Sequence, residues 1–463
     1  MKIKKTFIFS LFILSFVSAN AFSAWVHKVE SVDTTNYSDS ANSIALDQNN
    51  NPSIAYYDQT NKILKFAKKS GSSWQTYTVD NTTASGTFLS LKFDSNNNAH
   101  IAYNFFVGTD TINSLQYASC SGTVWSTSTV DASVDILGEY ASLAFDKSNI
   151  PHIAYRAASD DTLKYATLSG VTWSTSTVAT NVLLNGNCSI AINPLTNLPS
   201  IAFFDATNYM LKFADFSGSA WTITTIDSGG TPGQYNSLVF NSSGIPSVSY
   251  YIFVTGDLKY ATLKNGVWEK EIVETEGTIG TYTSLALDSN GNPQISYRDE
   301  TEGFLKHASK RDGSSWFIEN ISLGASQTTG NFTSLVIDSQ NFAHISYNNH
   351  DSGELGYALV YWQLDLSPSN DDAAVYHPIF IASKGEKASI KLNLSAQNRV
   401  QINIYDFLGK KIKAIADEDI DAGITSYEWN ALDDNGASVA SGVYVVVINI
   451  GLKNFKKKIV VIN

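Results

Sequence analysis

The sequence predicts an all-β chain: a seven-bladed β-propeller closed by its own N-terminal strand, followed by a small C-terminal β-sandwich. Three observations carry that prediction. Trp25, Trp74, Trp125, Trp173, Trp221, Trp268, Trp316 and Trp362 recur 46 to 51 residues apart. Between them one phrase repeats, most cleanly as Ser284-Leu-Ala-Leu-Asp288, Pro293-Gln-Ile-Ser-Tyr-Arg-Asp299, Leu305-Lys-His-Ala308 and Gly313-Ser-Ser-Trp316. A period of about 48 residues with several short strands per copy marks a closed propeller or a repeat array. After Trp362 the phrase stops, and strand-like runs of another kind follow.

Residues 1–24 read as an export leader. Lys2, Lys4 and Lys5 precede an apolar run from Phe7 to Val17, and Ala19-Asn20-Ala21 supplies small residues for cleavage, with Ala24 as a second cut. No other segment approaches the 18 apolar residues of a membrane span. Removing the three leader lysines takes the formal net charge from −12 to −15. With four arginines in the chain and one dense basic run, Lys456-Lys457-Lys458, neither a nucleic-acid nor a polybasic lipid partner is expected.

Within the propeller, residues 25–362, seven first strands are expected to start at Ser43, Ser90, Ser142, Ser189, Ser237, Ser284 and Ser334. A turn rich in Asn, Gly and Pro leads into the second strand (Ile153-Ala154-Tyr155), then a third (Leu163-Lys164-Tyr165-Ala166) and a fourth carrying the tryptophan (Trp173 to Val178). Alternation sets Leu143, Phe145, Ile153, Tyr155, Leu163 and Tyr165 on one face and Ser142, Ala144, Ala154 and Ala166 on the other. Stacking a bulky face on a neighbour's small face buries large side chains at about 1.5–3 kcal/mol each, and only a ring serves all seven copies alike. The seventh copy lacks its fourth strand, while Trp25-Val-His-Lys-Val-Glu-Ser-Val32 reads as an orphan fourth strand; pairing the two closes the ring. Cys120 ends a third strand and Cys188 begins a first strand, on opposite faces, so two unpaired thiols are expected.

The repeats resemble those of secreted bacterial β-propellers carrying tandem ISYYD…LKYA…GxxW phrases, over roughly residues 25–362. That resemblance implies the fold rather than a task, since the group is functionally mixed. Residues 363–375 read as a linker and residues 376–463 as the sandwich, from Ala388-Ser-Ile-Lys-Leu-Asn-Leu394, Val400-Gln-Ile-Asn-Ile-Tyr405, Val443-Tyr-Val-Val-Val-Ile448 and Lys458-Ile-Val-Val-Ile462. Val400 to Gly409, Ala422-Gly423, Trp429-Asn430, Asp434-Asn-Gly436 and Ala440-Ser-Gly-Val-Tyr444 together resemble the FlgD-type Ig-like domain and the sorting domains of the type IX secretion pathway. Those families open on a Tyr-Pro-Asn-Pro-Phe phrase where this chain has Tyr376-His-Pro-Ile-Phe380. The resemblance implies sorting or anchoring, or a plain accessory module, in a secreted or cell-surface protein.

Chemistry is sparse. The repeat serines lack a nucleophile elbow and are expected to hydrogen-bond between blades. His100, His152 and His344 occupy one repeat position in different blades, so no metal site is expected of them. Loops such as Asp47-Gln-Asn-Asn-Asn51 have alternating oxygen ligands but lack the closing Glu of a calcium loop. No catalytic residue, metal or cofactor is assigned. The candidate ligand site lies on the face formed by the loops before the first strands and after the second. Phe88, Tyr140, Tyr235, Tyr282 and Phe332 stand two positions before a repeat serine and are expected to crowd one mouth of the channel; Arg156, Arg298, Asp58, Asp205 and Asp299 follow the second strands. Aromatic platforms beside Asp and Arg suit sugar rings, by stacking and hydroxyl hydrogen bonds.

The chain is therefore expected to be a monomeric, non-catalytic binding protein for a glycan or an extracellular protein. The alternatives are a glycan hydrolase or lyase and a structural scaffold. An enzyme would need a carboxylate pair, and Glu139, Asp160, Asp161, Glu274, Glu276, Glu300 and Glu302 offer many acids without a distinct pair.

Overall fold

The computed structural model describes residues 23–34, 41–82, 85–105, 114–122, 124–132, 137–159, 161–182, 187–310, 315–321, 329–364, 372–376, 379–382, 387–451 and 453–462. The leader lies outside them up to residue 22, as do Asp160 and Arg311. Two compact units emerge, one of residues 26–361 and one containing residues 362–463. No α-helix occurs among the described residues.

The first unit is a seven-bladed propeller of four-stranded antiparallel sheets. Blade 3 is representative: Leu137–Phe145, Pro151–Ala157, Thr162–Ser169 and Thr172–Ala179 pair in sequence order, with Ile153 opposite Leu143 and Ala166 opposite Ile153. Blade 7 is built from both ends of the unit. Its strands Thr329–Ile337, Ala343–Asn349 and Glu354–Leu364 are completed by Ser23–Asp33, as the orphan strand required.

Three inter-blade circuits explain the repeated letters. Nearest the axis, each repeat serine accepts the backbone N–H of the residue after the next blade's serine. Ser43 Oγ takes Leu91 N–H at 3.0 Å, Ser90 takes Leu143 at 3.1 Å, and Ser334 takes Ile44 at 3.2 Å, which returns the circuit to blade 1. Farther out, the fourth-strand tryptophan meets the third-strand aromatic of the preceding blade edge to face. Trp125 packs on Phe66 at 5.2 Å and Trp173 on Tyr117 at 5.0 Å; Trp74 closes on Tyr357 of blade 7 at 5.1 Å. At the hairpins between first and second strands, an Asn at positive φ reaches the preceding blade. Asn97 Oδ1 accepts from Gln48 N at 2.8 Å and Asn149 Oδ1 from Ser95 N at 2.9 Å.

A fourth pairing was not read from the sequence. In blades 1, 3, 5 and 6 the second-strand tyrosine and third-strand lysine share the acid ending the previous blade's fourth strand. Tyr155 Oη donates to Asp131 at 2.6 Å and Lys164 Nζ lies 3.1 Å from the same carboxylate. At the closure Tyr56 and Lys65 meet Asp33, on the N-terminal strand, at 2.6 and 2.9 Å. Blade 4 has Phe203 instead of tyrosine, and blade 3 correspondingly ends in Ala179.

The second unit is a β-sandwich of a three-stranded and a five-stranded sheet. Ile390, Leu392, Val400, Ile402, Val446 and Ile448 fill its core around Trp429, whose indole N–H donates to Leu432 O at 2.9 Å. The stretch read as linker ends in a strand, Asp372–Tyr376, which pairs with Ala388–Leu394.

Candidate functional site

The first strands enclose a central cavity of about 450 Å³, and one mouth of it is ringed by Phe88, Tyr140, Tyr235, Tyr282 and Phe332. Their placement follows from a phrase found in five blades: Gly86-Thr-Phe88-Leu-Ser90, Gly138-Glu-Tyr140-Ala-Ser142, Gly233-Gln-Tyr235-Asn-Ser237, Gly280-Thr-Tyr282-Thr-Ser284 and Gly330-Asn-Phe332-Thr-Ser334. The glycine crosses over the previous blade. At Gly233 and Gly280, with φ of +110° and +102°, an added Cβ would lie 2.8 Å from Leu211 and Leu258. The aromatic residue then occupies a β-bulge: Thr281 faces Arg298 and Ser284 faces Ser296, so one residue too many stands on the first strand. Tyr140, Tyr235, Tyr282 and Phe332 hold left-handed φ angles of 55°, 52°, 55° and 52°. These first strands begin several residues before the serine, at Ser85, Leu137, Pro232, Ile279 and Thr329, not at the serine itself. Blades 1 and 4, which have Ala41 and Asn187 in place of the aromatic, start at Asn42 and Cys188.

The five rings form a half-buried collar. Phe88 meets Tyr140, Tyr235 meets Tyr282, and Tyr282 meets Phe332, each at 4.6 Å between centroids. Burial raises the Tyr235 and Tyr282 phenols above the ordinary tyrosine range, so both carry their protons at neutral pH. Polar groups flank the collar in two places. Arg156 Nη1 donates to Glu139 Oε2 at 2.7 Å. Arg298 lies 3.0 Å from Glu300, donates to Asn331 Oδ1, and is itself buried; Thr281 Oγ1 donates to Glu300 at 3.0 Å.

Asp58, Asp205 and Asp299 stand elsewhere. All three are fully buried, none lines the cavity, and each caps the turn after its second strand. Asp205 Oδ1 accepts the N–H groups of Thr207 and Asn208, and its other oxygen lies 2.9 Å from Lys212. Burial would raise this carboxyl, but hydrogen bonds from Asn208 and Lys212 outweigh it and hold the group below the ordinary range. Asp58 and Asp299 bind the backbone N–H groups of Asn61 and of Thr301 and Glu302 in the same way. The Asp47 loop spends its carboxylate likewise, on Asn49 and Asn51 N–H groups. His100, His152 and His344 each share a hydrogen bond with a third-strand tyrosine, at 2.6, 2.5 and 2.7 Å. Cys120 and Cys188 are free thiols. No group of three or more His, Cys, Asp or Glu side chains among the described residues could hold a metal ion.

Fold and site together define a seven-bladed β-propeller with an aromatic-collared channel, followed by an Ig-like β-sandwich. Residues 379–450 match the model of the FlgD Ig-like domain. No curated protein matches the chain. Similar solved structures include an α-L-arabinofuranosidase from Fusarium graminearum in complex with an iminosugar inhibitor (12% identity, 74% of this chain and 98% of that one, TM-score 0.45). A fucose-specific lectin from Aleuria aurantia is also similar (12%, 63% and 99%, 0.41). So is PorZ, a surface component of the type IX secretion system of Porphyromonas gingivalis (12%, 91% and 74%, 0.33).

Proposed function

We propose that the propeller is a non-catalytic binding module that takes a carbohydrate on the collared mouth of its channel. One observation carries this reading. Blades 1 and 4 make the same serine circuit without an aromatic bulge, so five aromatic bulges are not needed to build the ring. Four of them hold a backbone conformation that L-residues resist, and such strain clusters at ligand sites. Tyrosine and phenylalanine faces suit the C–H faces of a sugar ring, and Arg156, Arg298, Asn331 and Glu300 stand beside them for its hydroxyls. The Glu139 and Glu300 carboxylates are each tied to an arginine, which favours binding over acid–base work.

In this reading the chain is exported to the cell surface or the medium, and the Ig-like unit serves sorting or anchoring. A glycan array on the full chain tests the binding claim, followed by a reducing-end assay on any hit. Binding without release of ends is the expected result. Release would make the protein an enzyme, and a blank array would move the site to a protein partner.

A further inference from the structure

All seven first strands share the serine and a following Ile or Leu, and the residue after that is small and apolar in all but one. There six blades carry Ala45, Ala144, Ala191, Val239, Ala286 or Val336, and blade 2 carries Lys92. Lys92 lines the central cavity and is open to its lumen. It makes no hydrogen bond or ion pair with any described residue. Among the described residues lining that cavity it is the one charged group, and none is Asp or Glu, although the chain holds 43 acidic residues against 31 Lys and Arg. The surrounding strands desolvate the ammonium and hold it below the ordinary lysine range.

The serine circuit adds donors to this lone cation. Each serine oxygen is already occupied as an acceptor by the next blade's N–H, so its own hydroxyl hydrogen is left to donate. Lys92 and Ser90 lie on the same face of one strand, with Ser43 and Ser142 in the blades on either side. A lumen offering one positive charge, several hydroxyl donors and no carboxylate is matched to an anion. One cation balances one negative charge, and a cavity of about 450 Å³ suits a small molecule.

We propose that the channel is an anion site in which Lys92 pairs with a small monovalent carboxylate, whose oxygens also accept hydroxyl hydrogens from Ser43, Ser90 and Ser142. The site does not rest on the ligand proposed for the collar.

The test uses the full chain with ¹³C-dimethylated lysines and acetate as the probe, with acetamide as its neutral counterpart. Lys92→Ala identifies the Lys92 resonance and is compatible with folding, since four other blades carry alanine there. Lys92→Met preserves the side-chain length if the alanine variant is unstable. Acetate is expected to move the Lys92 resonance saturably and to raise the melting temperature by about 2 °C at ten times its dissociation constant. Acetamide should do neither, and both effects should vanish without the lysine. Equal responses in wild type and variant, or an unmoved Lys92 resonance, overturn the site. Inorganic phosphate binding at least tenfold more tightly than acetate would overturn the monovalent assignment.

Discussion

Replacing Asp33 by alanine tests ring closure at a single carboxylate. Asp33 ends the N-terminal strand and accepts the hydroxyl of Tyr56, a residue with 0% exposure in blade 1, at 2.6 Å. The substitution leaves a fully buried phenol without its acceptor, which costs about 1–3 kcal/mol. Lys65 also loses its 2.9 Å partner but keeps Asp58 at 3.4 Å, so this second loss stays below about 1 kcal/mol. The expected destabilisation is about 1–4 kcal/mol, read as a fall in the urea midpoint at constant slope. Tyr56→Phe in the same background supplies the control, because Phe203 with Ala179 is the pair that blades 4 and 3 already contain. The double variant should recover about 1–2 kcal/mol relative to the sum of the single changes, since removing both partners leaves no buried polar group unpaired. A loss under about 0.5 kcal/mol for Asp33→Ala, or strict additivity, would refute the idea that this carboxylate fastens the N-terminal strand to blade 1.

Three further outcomes follow from the same geometry. Gly291 has φ +81° and open space around it, so Gly291→Asn should add the hairpin link between blades 5 and 6 by accepting from Ser242 N–H. It should be more stable than Gly291→Ala, which bears the left-handed φ without the bond, by about 0.5–1.5 kcal/mol in thermal melts, whereas Gly244→Asn, with Asn193 and Leu195 2.9–3.0 Å from the added Cβ, should destabilise. His100, His152 and His344 are held below the ordinary histidine range by burial, despite the nearby Asp94, Asp146 and Asp338. The unfolded chain therefore binds more protons, so their contribution to stability is complete above about pH 6.5 and falls as the pH drops below it; changing all three to Gln, the residue at 294, should flatten urea midpoints between about pH 6.5 and 5. Tyr282→Gly should remain more stable than Tyr282→Ala by about 1 kcal/mol, because glycine relieves the left-handed φ, while both lose glycan binding; equal melting temperatures would mean the bulge relaxes when the ring is removed.

Period, blade count and closing strand were legible because alternation and tryptophan spacing survive in every copy. The serines too were readable as inter-blade groups, since seven equivalent nucleophiles make no chemical sense. The collar was legible as a position but not as a conformation. A bulge inserts one residue and breaks the two-residue period there, so strands continuing through it seemed to begin at the serine. The glycine two positions before each aromatic was the available signal. Asp58, Asp205 and Asp299 looked like ligand groups because a sequence does not show burial. Yet each is followed three residues later by Asn61, Asn208 or Glu302 across a tight turn, and an Asp at a strand end is a common cap for such N–H groups. The link from Tyr155 and Lys164 to Asp131 spans two blades and shows itself only when copies are aligned and the tyrosine of blade 4 and the acid of blade 3 are seen to be lost together, as Phe203 and Ala179.

Seven copies in one chain separate architecture from use. What every blade needs is repeated in every blade: the serine oxygen and the large side chains packed between sheets. The aromatic bulge is not among these. At about 1–2 kcal/mol for each left-handed L-residue, four of them cost about 4–8 kcal/mol, comparable to the net stability of a whole domain. Three ring contacts at about 0.5–1.5 kcal/mol each offset only part of that. Blades 1, 2 and 4 avoid the cost and still close the ring, so selection for stability alone would have removed it from the other four. Lys92 obeys the same logic in the opposite sense: a single departure to a charged residue where alanine or valine suffices six times, in a cavity whose described lining holds no acid. Repeated strain at the mouth and a solitary cation within are what support the proposal of a ligand site on the axis of the propeller.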